Sequence, residues 1–564
     1  MKKIGIVLLV LIFIFAEAVI AQDAIPESLN LQTPQKKLIA TGQGLSGLRI
    51  VDFKQMVEDM ENTPFDGLEV GYNVTSPDGF LCKASSMFAN KKWEKEWFEN
   101  DVEILKKVKP VRVKHNFFKI YLNSATKDGL VTRLSWKDDA HWANAINNVA
   151  VIAWVAKQSG CFTGLIMDSE DYGRKQFTWQ PSDGSYQETS RLARLRGAQM
   201  MKAIVNEYPD ATLLFYWFLS LSHRIANSPT PSIAVEQNGN LWVPFANGML
   251  DTIAPTIKIV DGNEHGYKYM GTDFARSAES TRNVLKNLVA EENKAKYSGQ
   301  VQVGFGLYMN AHVNPETSKW YMPPLNGSQT ARLADNIKNA LKVSDEYVWV
   351  YGERRQWSRV GTPAGKIVSL WQDVLPGVTK ALWFVKAPAT AAKMKMESNT
   401  KVINICPNSG FEAPNEGENK WNSTELPALW SNSPETLTKN FTLDNTFGFR
   451  SSRSAKAKGV TDGCFLLSVN VNPGETYAIE GKAFHKGNSR GHILVRWKTA
   501  DNKWVQELND VYIYYTEQIE GWKKAFGAAT VPEGVNQLAV LLIVKQPQPT
   551  DECWFDDIGI YRVN

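Results

Sequence analysis

Short apolar runs alternate with segments of helical periodicity from Lys37 to about Val385. The apolar runs, which predict strands, are Leu38–Thr41, Phe65–Val70, Asn116–Leu122, Gly164–Glu170, Thr212–Phe218, Thr256–Glu264, Val301–Met309 and Tyr347–Glu353. The helical segments between them include Trp93–Val108, Trp136–Gln158, Glu188–Glu207, Ser277–Lys296 and Thr330–Val343. Strands that alternate with helices pair in parallel, and eight such strands close most simply into a TIM (β/α)8 barrel. A doubly wound open sheet is the alternative.

The pattern of the chain changes beyond Ala392. From Ile405 the helical periodicity disappears, and β-rich runs follow at Cys464–Val471, Thr476–Phe484, His492–Lys498, Val511–Tyr515, Gln537–Val544 and Trp554–Tyr561. Short strands separated by turn residues predict an antiparallel all-β sandwich. We therefore expect a barrel domain at residues 37–395, a linker at 396–404 and a sandwich domain at 405–564.

The first residues are typical of an export signal. Two lysines precede an apolar run, Ile4–Phe15, and the segment Val19–Ala21 has the small residues of a cleavage site. The apolar run is too short for a comfortable membrane span. We therefore expect a signal peptide at residues 1–21, a linker at 22–36, and a secreted or periplasmic protein without a membrane span.

Composition narrows the classes of partner. The formal net charge is +4 over 564 residues, which is too small to indicate a nucleic-acid-binding protein. Aromatic residues make up 11% of the chain and include 19 Trp, which suits stacking on sugar rings as well as core packing. A basic run at Arg450–Lys458 suits either an acidic glycan or a solvated loop. The seven histidines show no HxH or HExxH spacing, so a catalytic zinc is not expected.

Five cysteines are few for an exported protein, so no disulfide framework is expected to hold the fold. Cys406 and Cys553 each precede an expected terminal strand of the sandwich and could pair. The odd number of cysteines leaves at least one thiol unpaired within the chain.

The strongest chemical signal is the end of the fourth expected strand, where Asp168 and Glu170 follow a buried run and Tyr172 comes next. Side chains of a strand alternate between its faces, so the two acids share one face. Two neighbouring carboxyls suit general acid/base chemistry, because each raises the cost of ionising the other. A strand that ends in solvated acids is the alternative interpretation.

Other expected strand ends add acids, aromatics and a few further polar residues. They are Tyr216 and Trp217 on strand five, Glu264 on strand six, Tyr308 on strand seven, Trp349, Glu353 and Arg354 on strand eight, and Glu69, Asn116 and Lys119 on earlier strands. Catalytic groups of a barrel lie at the carboxyl ends of its strands. These side chains should therefore line one open cleft, although the tryptophans could belong to the core and Glu353 could simply pair with Arg354.

A glycine-rich segment, Gly42–Gly47, matches the GxGxxG fingerprint of dinucleotide-binding sites. That fingerprint requires the glycines to open a helix, whereas helical periodicity here begins only near Val51. An exported oxidoreductase is therefore a weak third interpretation, and it would require a helix that opens at Gly44.

On its strand pattern and on Gly164, Asp168 and Glu170, the first domain resembles the (β/α)8-barrel glycoside hydrolases. Among them, chitinase-like families have a fourth strand that ends in Asp-x-Glu. Thr163 and Ile166 stand where those families have further aspartates, which marks a divergent relative.

The resemblance implies roles for the residues at the strand ends. Glu170 would be the general acid and Asp168 would orient it. Glu264 would be the nucleophile or base, with Glu353 as the next candidate. The expected substrate contacts are Tyr172, Trp217, Tyr216, Tyr308, Asn116, Trp349 and Arg354. No cofactor is expected for catalysis.

The last domain resembles the jelly-roll carbohydrate-binding modules. The resemblance rests on Asn408–Glu412 at its start, Trp554–Ile558 at its end and the turn Pro473–Tyr477. It implies glycan binding and a possible structural calcium, for which Glu412 and Asp557 are the candidate ligands. Acids with a purely structural role are the alternative.

These resemblances predict an exported glycosidase that cleaves a polysaccharide or oligosaccharide, carries a glycan-binding module and acts as a monomer. The alternative is a non-catalytic glycan-binding or cell-surface protein with a degenerate barrel. The two differ in whether Glu170 faces a second acid across an open cleft.

Overall fold

The computed structural model describes residues 36–122, 133–171, 175–362, 368–398, 401–425, 439–505, 510–532 and 534–563. The expected signal peptide, nearly all of the first linker, and Tyr172 lie outside these residues. The described chain forms two large, separate sheets, of which the first is parallel and barrel-like and the second is antiparallel and all-β.

Nine parallel strands form the first sheet. They are β1 (Lys37–Gly42), β2 (Gly67–Val70), β5 (Asn116–Tyr121), β6 (Phe162–Asp168), β7 (Thr212–Phe215), β8 (Lys258–Asp261), β9 (Val301–Val303), β10 (Phe305–Tyr308) and β11 (Tyr347–Gly352). Two small two-stranded sheets accompany them, formed by β3 (Asn73–Thr75) with β4 (Leu81–Lys83) and by β12 (Arg355–Gln356) with β13 (Ser369–Leu370). Each of the predicted strands of this domain overlaps one of the nine.

The parallel sheet is nearly closed. Its spatial order is β10-β11-β1-β2-β5-β6-β7-β8-β9, so the two end strands are consecutive in the chain. Only Gly304 separates them, and its N–H donates to the carbonyl of Asp261 on β8 (2.9 Å). The seventh predicted strand is therefore one strand interrupted at Gly304. An open doubly wound sheet does not fit this order, because its two edges would be formed by strands distant in the chain.

Helices cover the outer face of this sheet. The α-helices are α1 (Phe53–Met60), α2 (Glu99–Leu105), α3 (Asp139–Ser159), α4 (Tyr186–Glu207), α5 (His223–Ala226), α6 (Pro231–Gln237), α7 (Trp242–Thr252), α8 (Asp273–Asn283), α9 (Lys294–Gln300), α10 (Gln329–Val343), α11 (Trp371–Val374), α12 (Val378–Lys386) and α13 (Pro388–Ser398). α3 begins after Asp138, whose carboxylate accepts the His141 N–H (3.0 Å), and it ends at Gly160 with φ 69°. No helix of the described residues is long and apolar enough to span a bilayer.

The glycine-rich segment does not open a helix. β1 ends at Gly42, a short 3-10 turn spans Leu45–Gly47, and α1 begins only at Phe53. Because a dinucleotide site places its phosphates at the first turn of a helix that the glycines open, the oxidoreductase interpretation has no support here.

The interior of the barrel changes from apolar to charged toward the carboxyl ends of the strands. Alternate residues point inward, and the apolar ones form one cluster that includes Ile39, Phe117, Ile166, Leu214, Val260, Tyr347 and Trp349. The Trp349 ring fills the space beside Gly306, where a Cβ would lie 2.3 Å from it, and its N–H donates to the Gly262 carbonyl (2.8 Å). Beyond this layer, the inward positions are occupied by Glu69, Lys119, Asp168 and Tyr216.

The second sheet has ten antiparallel strands. They are β14 (Asn422–Glu425), β15 (Phe441–Asp444), β16 (Ser454–Lys458), β17 (Gly463–Asn470), β18 (Thr476–Lys486), β19 (Arg490–Lys498), β20 (Val511–Ile519), β21 (Trp522–Thr530), β22 (Gln537–Lys545) and β23 (Glu552–Arg562). Their order is β14-β17-β22-β19-β20-β21-β18-β23-β16-β15. Apolar residues of both halves, such as Phe465 and Ile493 on one side and Ile479 and Phe555 on the other, share one core.

All six strands predicted for this domain are present, and four others were missed. The missed strands are β14, β15, β16 and β21. β16 lies within the basic run Arg450–Lys458, where the sequence suggested a solvated loop. Its alternate residues Ala455 and Ala457 are fully buried, so the basic side chains between them mask a strand.

The five cysteines are buried free thiols. The pairing that the sequence allowed between Cys406 and Cys553 is not formed. Burial raises the pKa of the Cys406 thiol to about 12, so these cysteines act as small apolar core residues.

Candidate active site

The predicted acids of strands four and six meet above the carboxyl ends of the barrel. β6 ends at Asp168, and Glu170 follows two residues later, its N–H donating to the Asp168 carboxylate (3.1 Å). After β8, Asn263 adopts a left-handed conformation (φ 36°) that turns the chain back toward β7. As a result, the Glu264 N–H donates to the Tyr216 carbonyl (3.3 Å).

A buried charged network lies directly below these two glutamates. The Lys119 ammonium lies 3.6 Å from the Glu69 carboxylate and 3.7 Å from that of Asp168, and it donates to the Tyr216 hydroxyl (3.0 Å). The Tyr216 hydroxyl in turn donates to Glu69. All four residues are at most 4% exposed. Buried charges are stable only when they are paired, so these groups must be held in fixed positions.

The network sets the charge states at the base of the cleft. Burial opposes the positive charge of Lys119, but the surrounding anionic groups, Glu69 foremost, outweigh this effect and raise its pKa. Burial raises the pKa of Asp168, and Lys119 opposes that shift. Lys119 therefore remains an ammonium that partly neutralises two carboxylates.

Glu170 and Glu264 have strongly raised pKa values. Burial, followed by the charge of Asp168, raises the pKa of Glu170 to about 7. Burial, followed by the charges of Glu170 and Asp168, raises the pKa of Glu264 to about 8. Because each carboxyl resists ionisation when the other is charged, the two can share a proton near neutral pH.

Trp217 lies beside both glutamates. Its indole N–H favours the ionised form of each, and its carbonyl accepts a hydrogen bond from Ser169 (2.5 Å). The indole nitrogen is buried and faces the Glu170 and Glu264 carboxyls.

The eighth-strand acid is set apart from this pair. Glu353 is exposed, and its N–H donates to the Asn310 side chain (2.8 Å). Burial and the charge of Glu353 raise the pKa of Tyr308 to about 12. Arg354 is exposed with φ 61° and forms no ion pair with Glu353 among the described residues. Glu353 therefore lies next to Tyr308 rather than next to Glu170 or Glu264.

Three residues expected to contact substrate are buried interior residues instead: Trp349, Tyr216 and Asn116. Trp349 is fully buried and stacks on Tyr216, with ring centroids 4.1 Å apart. Asn116 is the first residue of β5, at the amino end, and its side chain bonds the Leu68 N–H (3.1 Å). Their contacts support the barrel wall, so they are corrected from sugar-binding to structural roles.

The aromatics that remain accessible lie on the seventh and eighth strand ends. Tyr308 is partly exposed and stacks on Tyr267, with ring centroids 5.1 Å apart. Trp320, also partly exposed, meets the edge of Tyr308 at 5.9 Å. These rings form an aromatic wall near the two glutamates. Tyr172 lies outside the described residues.

Sequence reasoning left Tyr267, Trp320 and the roles of Glu69 and Lys119 undefined. A signal for the last two was present: each is a charged residue inside an otherwise apolar buried strand, Gly67–Val70 and Asn116–Tyr121. Such residues require a partner of opposite charge on a neighbouring strand. The partner itself depends on strand register, which sequence does not give.

The expected calcium ligands of the sandwich, Glu412 and Asp557, both lie near Asp556. Asp557 forms an ion pair with Lys482, and Glu412 is exposed. The buried acid in this region is Asp556, whose pKa is raised to about 7 by burial. Among the described residues, no group of three His, Cys, Asp or Glu side chains could hold a metal ion. The structural calcium therefore stays a prediction.

No protein-family model matches the chain, and no curated protein matches it. Among solved structures, it is similar to the enzymatically active domain of bacteriophage CBA120 tailspike protein 4 (14% identity, 28% of this chain, 21% of that chain, TM-score 0.21). It is also similar to TmCBM61 in complex with β-1,4-galactotriose (16% identity, 28% of this chain, 99% of that chain, TM-score 0.20). A third is the CBM22-1–GH10 part of the Clostridium thermocellum xylanase 10B with xylohexaose (13% identity, 27% of this chain, 28% of that chain, TM-score 0.20). Likenesses this weak carry no argument about chemistry, which rests on the site itself.

Proposed function

We propose that the first domain is a (β/α)8-barrel glycoside hydrolase that cleaves a polysaccharide with Glu170 and Glu264 as its two catalytic carboxyls. The observation that carries this proposal is the pair itself. Glu170 follows the end of β6 and Glu264 follows the end of β8, the two strands that flank β7 in the sheet. The pKa values of both carboxyls are raised, to about 7 and about 8, which favours a pair that shares one proton near neutral pH.

Glycoside hydrolysis needs this combination of charge states. One carboxylic acid protonates the leaving oxygen, and one carboxylate attacks the anomeric carbon or activates water. If both carboxyls were ionised, the site would have no general acid. If both were protonated, it would have no nucleophile or base. Burial and mutual repulsion thus set the reactive state without a metal ion or cofactor in the proposed scheme.

The roles of general acid and of nucleophile or base can be assigned to Glu170 and Glu264 in two ways. The resemblance to barrel hydrolases makes Glu170 the acid and Glu264 the nucleophile or base. The reverse assignment fits the site equally well, because the pKa values of both carboxyls are raised and neighbouring carboxyls titrate as a pair. Asp168 acts on Glu170 in either assignment. Its carboxylate accepts a hydrogen bond from the Glu170 backbone N–H, and its charge raises the pKa of the Glu170 carboxyl.

The surroundings support a sugar ligand. The Tyr308 and Trp320 rings are partly exposed and provide flat apolar faces on which a sugar ring can stack. Lys119 stays buried beneath the acids and keeps their environment fixed. We further propose that the protein is exported, acts as a monomer and uses its sandwich domain to bind glycan.

Exchange of each carboxyl for its amide tests the proposal. Glu170→Gln and Glu264→Gln should each fold normally and lose about 10³-fold or more in reducing-end release from the polysaccharide that wild type cleaves. Glu353→Gln is the matched control, since Glu353 is exposed and apart from the pair, and it should lose less than about threefold. Full activity in either of the first two variants would contradict the assignment.

The leaving group separates acid from nucleophile. An aryl glycoside with a weakly basic leaving group needs no protonation, so the acid variant should recover most of its rate on that substrate. The nucleophile variant should stay inactive on it. If wild type cleaves no glycan but still binds one, the non-catalytic alternative replaces the hydrolase.

A further inference from the structure

A cavity of about 650 Å³ opens beside the proposed catalytic pair. It lies between the loop after β7 and the 3-10 turn after β8, and its walls are Leu221, Ser222, His223, Arg224, Ile225, Asn227 and His265. Among these seven residues Arg224 carries a permanent positive charge, two are histidines that can donate hydrogen bonds, and none is acidic. The composition of the wall therefore favours an anionic occupant.

Two aromatic rings in contact connect the wall of the cavity with the proposed catalytic pair. His265 directly follows Glu264, and its ring meets the Trp217 ring edge-on with centroids 4.5 Å apart. Trp217 in turn lies beside Glu170 and Glu264. A sugar bound at the carboxyl pair and a neighbouring sugar in the cavity would thus share the wall formed by Trp217 and His265.

The basic groups are not neutralised by the protein. Arg224 is exposed and Lys268 lies over the Trp320 ring at 4.5 Å, and neither forms an ion pair among the described residues. Burial and then the charges of His223, Arg224 and Lys268 lower the pKa of His265. Elsewhere on this domain, arginines such as Arg194 and Arg133 are paired with carboxylates. Uncompensated positive charge at one place favours binding of an anion.

We propose that this cavity is a subsite for a negatively charged sugar, and that the substrate is therefore an acidic glycan. Arg224 is the principal binding residue, with His223, His265 and Lys268 around it. The anionic group is a uronate carboxylate or a sulfate ester, both of which match a guanidinium. This inference rests on the proposed hydrolase function for its biological meaning, but anion binding can be measured independently.

The test uses paired glycans that differ only in charge. The probes are polygalacturonate with its carboxyl-reduced form, and sulfated galactan with its desulfated form. Binding to the full chain is measured by affinity electrophoresis, and hydrolysis by reducing-end release. Arg224→Gln should raise Kd or KM about tenfold for the charged member of a pair and leave the neutral member unchanged. Arg224→Lys, which keeps the charge, should recover part of this loss.

A matched control removes a positive charge elsewhere. Lys338→Gln, on the exposed face of α10, should change neither Kd nor KM for any of the four glycans. Added salt should weaken the binding of the charged glycans to wild type, because it screens the attraction between Arg224 and the anionic group. It should have little effect on Arg224→Gln, in which this attraction is already absent. Which pair responds distinguishes a carboxylate from a sulfate.

The results separate the subsite from the hydrolase. If the protein prefers a neutral glycan and Arg224→Gln does not change that preference, the proposed subsite is wrong. The proposed hydrolase function would be unaffected by this result. Arg224-dependent binding of a charged glycan without hydrolysis would keep the subsite and overturn the hydrolase. Equal weakening of charged and neutral members by Arg224→Gln would also overturn the subsite, since charge would not be what Arg224 recognises.

Discussion

Individual side chains in the cleft have charge states that depend on their neighbours. Lys119 lies between Glu69 and Asp168, and the exposed fraction of each is 4% or less. Removal of one member would leave an uncompensated buried charge, which costs several kcal/mol in other proteins. A protein that keeps such a network directly below two acids of raised pKa fixes both the position and the ionisation of those acids. This arrangement is typical of a catalytic centre.

The pH dependence of stability reports the raised pKa of Glu264. Its pKa rises from 4.5 to about 8 on folding, so the folded chain keeps this proton at pH values where the unfolded chain has released it. Stability should therefore fall as the pH rises from about 5 to 8, the window between these values. Glu264→Gln cannot ionise and should be more stable than wild type by about 2 kcal/mol at pH 8.5, with little difference at pH 4.

Urea denaturation at pH 4 and pH 8.5 checks this expectation. Glu58→Gln serves as the control, because Glu58 is an exposed residue of α1, and its curve should parallel that of wild type. Parallel curves for wild type and Glu264→Gln would show that the folded protein does not hold this proton.

The sequence located the two acids of the proposed catalytic pair better than it located the residues around them. Asp168, Glu170 and Glu264 follow predicted strands, and the rule that barrel chemistry lies at the carboxyl ends of strands brings them together. The period-two pattern could not place Asn116, because a polar residue at the start of a strand has the same local sequence signal as one at its end. Trp349 was misassigned because burial of an aromatic depends on glycines in other strands.

Those glycines matter at the level of whole elements. β10 and β11 pair in parallel, and Gly306 lies beside Trp349 in their register. A methyl group at Gly306 would lie 2.3 Å from the indole ring. Gly262, after β8, is the acceptor of the indole N–H. One large side chain thus fills the interior at the point where the sheet closes, and small residues on the adjacent segments make room for it.

Gly306→Ala should destabilise the protein by about 1–3 kcal/mol, because the indole has no space into which to move. The same substitution in a Trp349→Phe background should cost less, since the smaller ring leaves room for the methyl group. Urea unfolding of the four proteins in this cycle gives the coupling free energy. Gly299→Ala is the control, because a Cβ there would meet no atom within 4 Å. Equal costs in both backgrounds would rule out the contact as the cause.

Element boundaries were predictable where apolar residues are continuous and were missed where charges interrupt them. The parallel strands are buried on both faces, so their runs are apolar and easily recognised. β16 and β21 each contain two lysines in a short segment, so their sequences resemble those of solvated loops. The break in the seventh strand at Gly304 was not predicted either, since it depends on pairing with both neighbours.

At the scale of the whole molecule, the two domains contact each other through an apolar surface. Ala392 of α13 clusters with Ala478 of β18 and Ala528 of β21, and Phe384 and Met396 pack against this cluster. The contact ties the end of the barrel domain to the sandwich. A glycan-binding module held in this way would keep the catalytic cleft near a polymer surface.

Removal of the sandwich should therefore separate two properties. A chain that ends at Ser398 should hydrolyse short soluble oligosaccharides within about twofold of the full-length rate, because the proposed catalytic groups all belong to the barrel. Its attachment to polymer should weaken by at least about tenfold with the loss of a second binding site. It should also unfold at a lower temperature, because Phe384 and Met396 lose their cover.

A full-length variant distinguishes loss of the module from loss of the contact. Ala528→Asp places a charge in the apolar surface between the domains, where Ala528 is 6% exposed. It should lower the thermal midpoint as the truncation does while keeping polymer attachment, because the sandwich, which is proposed to bind glycan, is still linked to the barrel. Polymer attachment that survives the truncation would instead place glycan binding in the barrel. Loss of oligosaccharide turnover in a folded truncated chain would show that the sandwich contributes to the catalytic cleft.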